Sequence, residues 1–178
     1  RCVMSVSLRC YSTSLGCPKN RVDTERLLGS LGVALVPVES PDEAELVFIN
    51  TCAFIQPATE ESVRTIAQAI ADIEELPKRP LLAVAGCLVG RYHAEDLAPE
   101  LPEVDLWLDN SDLEAWPAML ARKLGLPEPT VPGRILSTGP SYAWLKISDG
   151  CRHACSFCAI PNIRGGHRSH CKDMIVRE

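Results

Sequence analysis

The sequence has 178 residues, of which 46% are hydrophobic and 23% charged, and its net charge is −5. This composition excludes disordered, collagen-like and low-complexity chains, and the negative charge disfavours a domain that holds nucleic acid by charge alone. No apolar run approaches the roughly 20 residues that cross a membrane, and the first residues show no signal-peptide pattern, so we expect a cytoplasmic protein without a membrane partner.

Alternating strand and helix signals predict a doubly wound, mostly parallel α/β sheet over residues 11–124, after an unassigned N-terminal extension over residues 1–10. The apolar run at 81–86 is typical of a parallel strand that is covered on both faces. The predicted strands are residues 11–16, 34–38, 44–51, 81–86 and, at the edge of the sheet, 104–108.

Helices are predicted between these strands. The first begins at Pro18, a residue that the first helical turn tolerates, and ends at Gly32. The second begins at Pro57, and its apolar stripe at helical spacing consists of Val63, Ile66, Ala67 and Ile70. A weaker helix signal covers residues 88–98. The last helix either begins near Ala115 or is kinked at Pro117.

The remaining residues divide into a linker and the beginning of a second domain. Proline and glycine recur through residues 125–141, which is the composition of a linker. Residues 142–148 predict one more strand, followed by a cluster of cysteines. Because few residues follow that cluster, we interpret residues 142–178 as the truncated start of a second domain.

The nine cysteines are the first unusual feature. Without an export signal a disulfide framework is not expected, and an odd number fits it poorly. Three of them have C-x3-C-x2-C spacing and can converge on one metal centre: Cys151, Cys155 and Cys158. A fourth ligand would complete a zinc site, and the candidates for it are His167, His170 and Cys171. Three thiolates alone would leave one iron of a [4Fe–4S] cluster open, so the ligand count leaves zinc and iron–sulfur equally possible.

With Phe157 immediately before its last cysteine, this motif resembles the cluster loop of radical S-adenosylmethionine enzymes. The flanking residues resemble the methylthiotransferase branch of that superfamily, and they are residues 142–150, Ala159-Ile160-Pro161, Arg164-Gly165 and Arg168-Ser169. The resemblance implies that Cys151, Cys155 and Cys158 hold a [4Fe–4S] cluster whose open iron binds S-adenosylmethionine, with Phe157 in the vicinity of that cofactor. It also implies that residues 142–178 begin a radical S-adenosylmethionine α/β barrel.

Three further cysteines, Cys17, Cys52 and Cys87, follow the first, third and fourth predicted strands. The carboxyl ends of parallel strands line one edge of a sheet, where ligands bind, and the alternative is three buried structural thiols. Their flanks, Gly16-Cys17-Pro18-Lys19-Asn20, Asn50-Thr51-Cys52 and Gly86-Cys87-Leu88-Val89, resemble the N-terminal domain of methylthiotransferases. The resemblance implies that residues 11–124 are that domain, and that its cysteines hold another [4Fe–4S] cluster, which binds the sulfur to be inserted.

Within the family, Pro18-Lys19-Asn20 and Ala53-Phe54-Ile55 with Glu61-Ser62 resemble the type that inserts a methylthio group at the β-carbon of an aspartate in a small-subunit ribosomal protein. That type implies a ribosomal-protein substrate, an electron donor such as a flavodoxin or ferredoxin, and no nucleic acid on these residues. Because one strand and one loop cannot enclose S-adenosylmethionine, we expect these residues alone to be inactive. Two alternatives remain open: a methylthiotransferase that acts on transfer-RNA adenosine, and a non-catalytic zinc or iron–sulfur module.

Some residues depart from the family pattern or have two interpretations. Cys2, Cys10 and Cys171 have no counterpart in that pattern, and His170 stands where arginine is common. We expect Lys19 and Asn20 to cap the first helix rather than to approach the cluster of the N-terminal domain. Arg164 and Arg168 face either the cofactor and substrate or the solvent.

Overall fold

The computed structural model describes residues 7–178, and its main feature is a five-stranded parallel sheet in the order β2-β1-β3-β4-β5. The strands are β1 (Ser7–Ser14), β2 (Ala34–Pro37), β3 (Leu46–Thr51), β4 (Leu81–Gly86) and β5 (Leu106–Asp109). The helices of this part are α1 (Pro18–Ser30), α2 (Gln56–Ile73), α3 (Cys87–Tyr92), α4 (Ala94–Leu97) and α5 (Trp116–Leu124). The doubly wound α/β fold expected from the sequence is therefore confirmed.

The sheet is covered on both faces, which is why its central strands are apolar throughout. All six residues of β3 are buried, and alternate side chains enter different cores. Leu46 and Phe48 pack with residues of α1 and α5, whereas Val47 and Ile49 pack with residues of α2 and α3. This arrangement leaves the carboxyl ends of the strands free to form a site.

The first strand begins at Ser7, earlier than the predicted residue 11. Leu8 and Cys10 are buried while Ser7 and Arg9 are exposed, an alternation of period two that the prediction missed. Cys10 is thus a core residue, and burial raises the pKa of its thiol to about 12, which makes it unreactive. Cys2 lies outside the described residues.

Helix α2 buries a different face from the predicted stripe. Val63 is 42% exposed and Ala67 is also exposed, whereas Ile66 is buried as expected. The buried residues are Thr59, Ser62, Ile66, Ala69 and Ile73. Ser62 accounts for this orientation, because its Oγ donates to the carbonyl of Cys52 at 2.7 Å and accepts from the amide of Cys52 at 3.0 Å.

The segment predicted as one helix over residues 88–98 forms α3 and α4 instead. His93 between them has a φ of 61°, in the left-handed region that interrupts a helix. Helix α5 begins at Trp116 with Pro117 in its first turn and ends at Gly125, so the start near Ala115 is confirmed. Strand β5 lies at the edge of the sheet, as predicted.

The strand predicted over residues 142–148 is wrong. Strand pairing begins only at Ser148–Asp149 (β6), which pairs antiparallel with Arg168–Ser169 (β7). Leu145 is exposed whereas Lys146 is buried, the reverse of what an apolar strand predicts. Two short helices follow, α6 (Ile160–Arg164) and α7 (Lys172–Arg177). Within residues 7–178, no helix has the length and apolar character of a membrane span.

Residues 125–141 have no helix or strand, but they lie against α1. The amide of Gly133 donates to Ser30 Oγ at 3.0 Å, and the amide of Ile135 donates to the carbonyl of Glu25 at 3.1 Å. A Cβ at position 133 would lie 2.2 Å from the carbonyl oxygen of Gly29, so the two backbones approach without side chains between them. This segment is therefore attached to α1 over part of its length.

Candidate metal centre

The three separated cysteines follow three adjacent strands. Cys17 precedes α1 after the end of β1, Cys52 follows β3 directly, and Cys87 follows β4 as the first residue of α3. Because β1, β3 and β4 are neighbours and parallel, all three cysteines lie at the same edge of the sheet. In a sheet of this order, the crevice between the ends of β1 and β3 is where ligands bind. The structure thus brings Cys17, Cys52 and Cys87, which we call the first trio, to the expected end of the sheet.

Two glycines allow the backbone to approach closely at these strand ends. Gly16 has a φ of +81°, and a Cβ there would lie 2.7 Å from the Sγ of Cys52. Gly86 has a φ of +101°, and a Cβ there would lie 2.2 Å from Asn50 Oδ1. A side chain at either position would push apart the segments that carry the first trio.

The thiols of the first trio differ in burial. Cys17 is exposed, whereas Cys52 and Cys87 are buried. Burial raises the pKa of the Cys87 thiol, the guanidinium of Arg164 acts in the opposite direction, and the thiolates of Cys52 and Cys17 raise it further. Cys87 is therefore within electrostatic reach of the other two thiols of the first trio.

Asn20 is fully buried and does not cap the first helix, so the capping prediction is wrong. Its Nδ2 donates to the carbonyls of Leu15 at 2.9 Å and Thr51 at 2.7 Å, which ties the ends of β1 and β3 together. Its Oδ1 accepts from the Sγ of Cys87 at 3.7 Å. Asn20 thus approaches the first trio, the interpretation that the sequence disfavoured.

The second trio, Cys151, Cys155 and Cys158, lies on the irregular loop between β6 and α6. The amide of Cys158 donates to the carbonyl of Cys155 at 3.1 Å, so the loop turns back on itself there. Cys151 and Cys158 are half-buried, while Cys155 is exposed and Phe157 is 89% exposed. Across residues 7–178, no three cysteine, histidine or acidic side chains stand in a preassembled metal-binding arrangement.

The chemistry of the residues around the first trio fits an iron–sulfur cluster. Three thiolates bring negative charge into a largely buried crevice, and Arg164 supplies a buried positive charge beside Cys87. Asn110 Nδ2 donates to the Sγ of Cys87 at 3.7 Å. The Oδ1 atoms of Asn50 and Asn110 are buried without a hydrogen-bond partner among residues 7–178, which is rare for buried polar atoms. The crevice therefore contains two hydrogen-bond acceptors that the described residues leave unsatisfied.

A buried network of four charged side chains joins the two parts of the chain. Lys146 Nζ lies 2.5 Å from Asp23 Oδ1 and 2.6 Å from Asp149 Oδ2. Arg164 Nη1 lies 3.2 Å from Asp23 Oδ2 and 2.9 Å from Asp149 Oδ2. None of the four residues is more than 5% exposed. We call Asp23, Lys146, Asp149 and Arg164 the buried ion network.

The two arginines that the sequence left open have different environments. Arg164 is part of the buried ion network, whereas Arg168 is exposed. Arg168 lines an open cleft of about 670 Å³ together with Arg152, His93 and Asp109. Arg164 also borders this cleft, but its side chain is only 3% exposed, so of the two arginines Arg168 is the one that solvent reaches.

Comparison with known proteins decides the family. Residues 9–109 match a family described as Uncharacterized protein family UPF0004. The chain belongs to the UPF0004 family. Over 168 residues it is 71% identical to the ribosomal protein uS12 methylthiotransferase RimO of Nitratidesulfovibrio vulgaris, and 64% identical to the protein of the same name from Oleidesulfovibrio alaskensis. Each match covers 94% of the chain and 39% of the relative, so the chain spans about two fifths of their length.

The resemblance to the methylthiotransferase family is confirmed by these comparisons. A relative of the same name from Lawsonia intracellularis is 57% identical over 175 residues, which cover 98% of the chain and 40% of that protein. The residues matched to the UPF0004 family include the first trio but not the second, which lies within the longer matches to the curated relatives.

Sequence reasoning on this UPF0004 chain did not identify Asp23, Lys146 or Asp149 as site residues. Charged side chains are mostly exposed unless they are paired, so an exposed position was the default expectation. A signal was nevertheless present, because Lys146 interrupts the apolar residues of the predicted strand at 142–148.

In this UPF0004 chain, protonation of Asp149 should make the free energy of unfolding fall at low pH. Burial alone would raise the pKa of Asp149, but Arg164 and Lys146 lower it to about 2. The stabilisation is then complete above the unfolded-state pKa of about 3.9 and is lost as the pH falls through about 2. We expect this carboxylate to contribute about 2–3 kcal/mol to the free energy of unfolding at neutral pH. Urea unfolding from pH 6 to pH 2 should show a steeper loss in the wild type than in Asp149→Asn, and parallel curves would contradict this assignment.

Proposed function

We propose that the chain is the N-terminal portion of an enzyme that inserts a methylthio group at the β-carbon of an aspartate in ribosomal protein uS12. The observation that carries this proposal is the 71% identity over 168 residues to the uS12 methylthiotransferase RimO of Nitratidesulfovibrio vulgaris. Because the chain spans 39% of that relative, the activity is assigned to the full-length protein, and these residues alone are inactive. A ribosomal substrate implies that the enzyme acts in the cytoplasm.

Two [4Fe–4S] clusters are proposed as cofactors. Cys17, Cys52 and Cys87 would hold one, and the other would be held by Cys151, Cys155 and Cys158. Three thiolates leave one iron without a protein ligand, and an open coordination position is what a reactive centre needs and a structural centre lacks. S-adenosylmethionine bound at the second trio supplies the methyl group and the radical chemistry that an unactivated C–H bond requires.

The residues of the chain then have distinct tasks. The crevice at the first trio is shielded from water on the side of Cys52 and Cys87, which are buried, and opens to solvent at Cys17. The loop of the second trio is open to solvent at Cys155, which gives an electron donor such as a flavodoxin or ferredoxin a point of access. Phe157 is exposed beside the last cysteine of that loop and is free to contact S-adenosylmethionine.

The cofactor proposal is tested by anaerobic reconstitution of the full-length protein, followed by analysis of iron, sulfide and zinc. We expect about eight irons per chain in the wild type, and about four after replacement of either trio by alanine, because each [4Fe–4S] cluster contains four irons. Cys171→Ala is the matched control, since Cys171 is exposed and belongs to neither trio, and it should retain the full iron content. Zinc in place of iron and sulfide would overturn the proposal in favour of a structural zinc module.

The substrate is tested separately. The reconstituted full-length protein is incubated with S-adenosylmethionine, a reductant, a sulfur source and either ribosomal protein uS12 or transfer RNA. Mass spectrometry should detect the methylthio group on an aspartate of the protein and none on the RNA. Modification of adenosine in the RNA, with unmodified uS12, would assign the chain to the alternative type.

A further inference from the structure

Arg164 lies where the segment of the second trio meets the first. It is the last residue of α6, which follows the loop of the second trio, and α6 contacts α3, which begins at Cys87. The contact leaves no room for a side chain at Gly90, where a Cβ would lie 2.6 Å from the carbonyl oxygen of Ile163. The backbone therefore fixes Arg164 close to Cys87.

A single acceptor links the Arg164 guanidinium to the first trio. Asn20 Oδ1 accepts a hydrogen bond from Arg164 Nη2 and also accepts from the Sγ of Cys87 at 3.7 Å. The side chain of Arg164 is 3% exposed, so solvent screens its charge only weakly. Arg164 thus acts at the first trio although it belongs, by sequence, to the segment of the second.

The charges around Arg164 indicate what it balances. Two carboxylates, Asp23 and Asp149, face two buried cations, Lys146 and Arg164, in the buried ion network. Lys19 Nζ lies 3.7 Å from Asp149 Oδ1 as a third cation, so the two carboxylates do not outnumber the cations around them. Arg164 reaches the first trio through Asn20 Oδ1, which is the common acceptor of Arg164 Nη2 and Cys87 Sγ.

We propose that Arg164 is a positioning residue that couples the two trios, because it ties the segment of the second trio to the N-terminal domain and makes the cluster at Cys17, Cys52 and Cys87 easier to reduce. This inference rests on the proposed function, since it requires an iron–sulfur cluster at the first trio. Reduction adds negative charge to a cluster, and a nearby cation or hydrogen-bond donor stabilises the reduced form. Arg164 supplies both next to Cys87.

The test uses the full-length protein with Cys151, Cys155 and Cys158 replaced by alanine, so that only the cluster of the first trio remains. This parent protein and its Arg164→Gln and Arg164→Lys derivatives are reconstituted anaerobically and titrated with dithionite, and the reduced cluster is followed by EPR. We expect Arg164→Gln to lower the ratio of reduced to oxidised cluster about tenfold at a fixed potential, equal to about 59 mV for one electron. Arg164→Lys retains the charge and should stay within about twofold of the parent.

Arg122→Gln is the matched control, because it removes one positive charge from the exposed last turn of α5 and should leave the potential unchanged. The inference would be overturned if the cluster in Arg164→Gln had the same reduction potential as in the parent protein. It would also be overturned if the reduction potential shifted equally in Arg164→Gln and Arg164→Lys. If Arg164→Gln binds no cluster but Arg164→Lys binds one with the reduction potential of the parent protein, the result supports a requirement for positive charge at position 164. If neither derivative binds iron, Arg164 only maintains the fold and the inference fails. A parent protein without iron overturns this inference and the proposed cluster at the first trio together.

Discussion

Replacement of Asp23 by asparagine is expected to lower the free energy of unfolding of this chain by about 3–5 kcal/mol, because removal of one partner leaves a buried charge uncompensated. Asp23 contacts both Lys146 and Arg164, and in the variant Asp149 alone would have to balance the two cations. Urea unfolding followed by circular dichroism measures the change.

The matched control is Asp72→Asn, which makes the same chemical change on the exposed surface of α2, where Asp72 accepts a hydrogen bond from Gln68. Surface substitutions of this kind change stability by less than about 0.5 kcal/mol. The variant can also relieve the unpaired charge by releasing residues 142–178, which faster hydrogen exchange in that segment would reveal. A loss below about 1 kcal/mol without such release would contradict the buried ion network.

Gly86→Ala is expected to lower the free energy of unfolding by an amount similar to that for Asp23→Asn, but through backbone strain and steric overlap. With a φ of 101° and a ψ of −153°, Gly86 occupies a region of backbone conformation that is essentially limited to glycine, and an L-residue there is strained by about 1–3 kcal/mol. The new Cβ would also lie 2.2 Å from Asn50 Oδ1 and 2.6 Å from the carbonyl oxygen of Thr51, and overpacking costs about 1–3 kcal/mol more. Thermal or urea unfolding of the chain measures the total.

Gly125→Ala separates the contribution of backbone strain from that of steric overlap. Gly125 has a φ of +69° and nothing lies within 4 Å of a Cβ at that position, so only backbone strain of about 1 kcal/mol is expected. In the full-length protein, Gly86→Ala should in addition lower iron binding at the first trio, since Cys87 is the next residue. Equal stability losses in the two variants would show that the crevice at Gly86 has room for a methyl group.

The sequence was sufficient to predict the sheet because its strands are apolar and closed by turn residues. Strand β4 has the predicted bounds, since a parallel strand that is covered on both faces leaves little ambiguity about where its apolar run begins and ends. The position of the first trio at the carboxyl edge followed from the same reasoning, because the topology of a parallel sheet determines which ends lie together.

The sequence was not sufficient where a polar contact between distant residues decides the local structure. The face of α2 depends on Ser62, which pairs with the backbone of Cys52, and the role of Asn20 depends on Leu15, Thr51 and Cys87. Residues 142–148 looked like a strand because most of them are apolar, yet Lys146 is the residue that is buried. Hydrophobic periodicity carries no information on such partners, which only the folded chain brings together.

The buried ion network has a consequence for biosynthesis. Asp23 and Arg164 are 141 positions apart, so a ribosome completes the whole five-stranded sheet before it adds the guanidinium that Asp23 binds. Domains generally fold in the order in which they are translated, so the nascent sheet forms before Lys146 and Arg164, the two cations that Asp23 binds, have been added. Closure of this network is then a late event of maturation, and it marks the moment at which the crevice beside Cys87 acquires its positive charge.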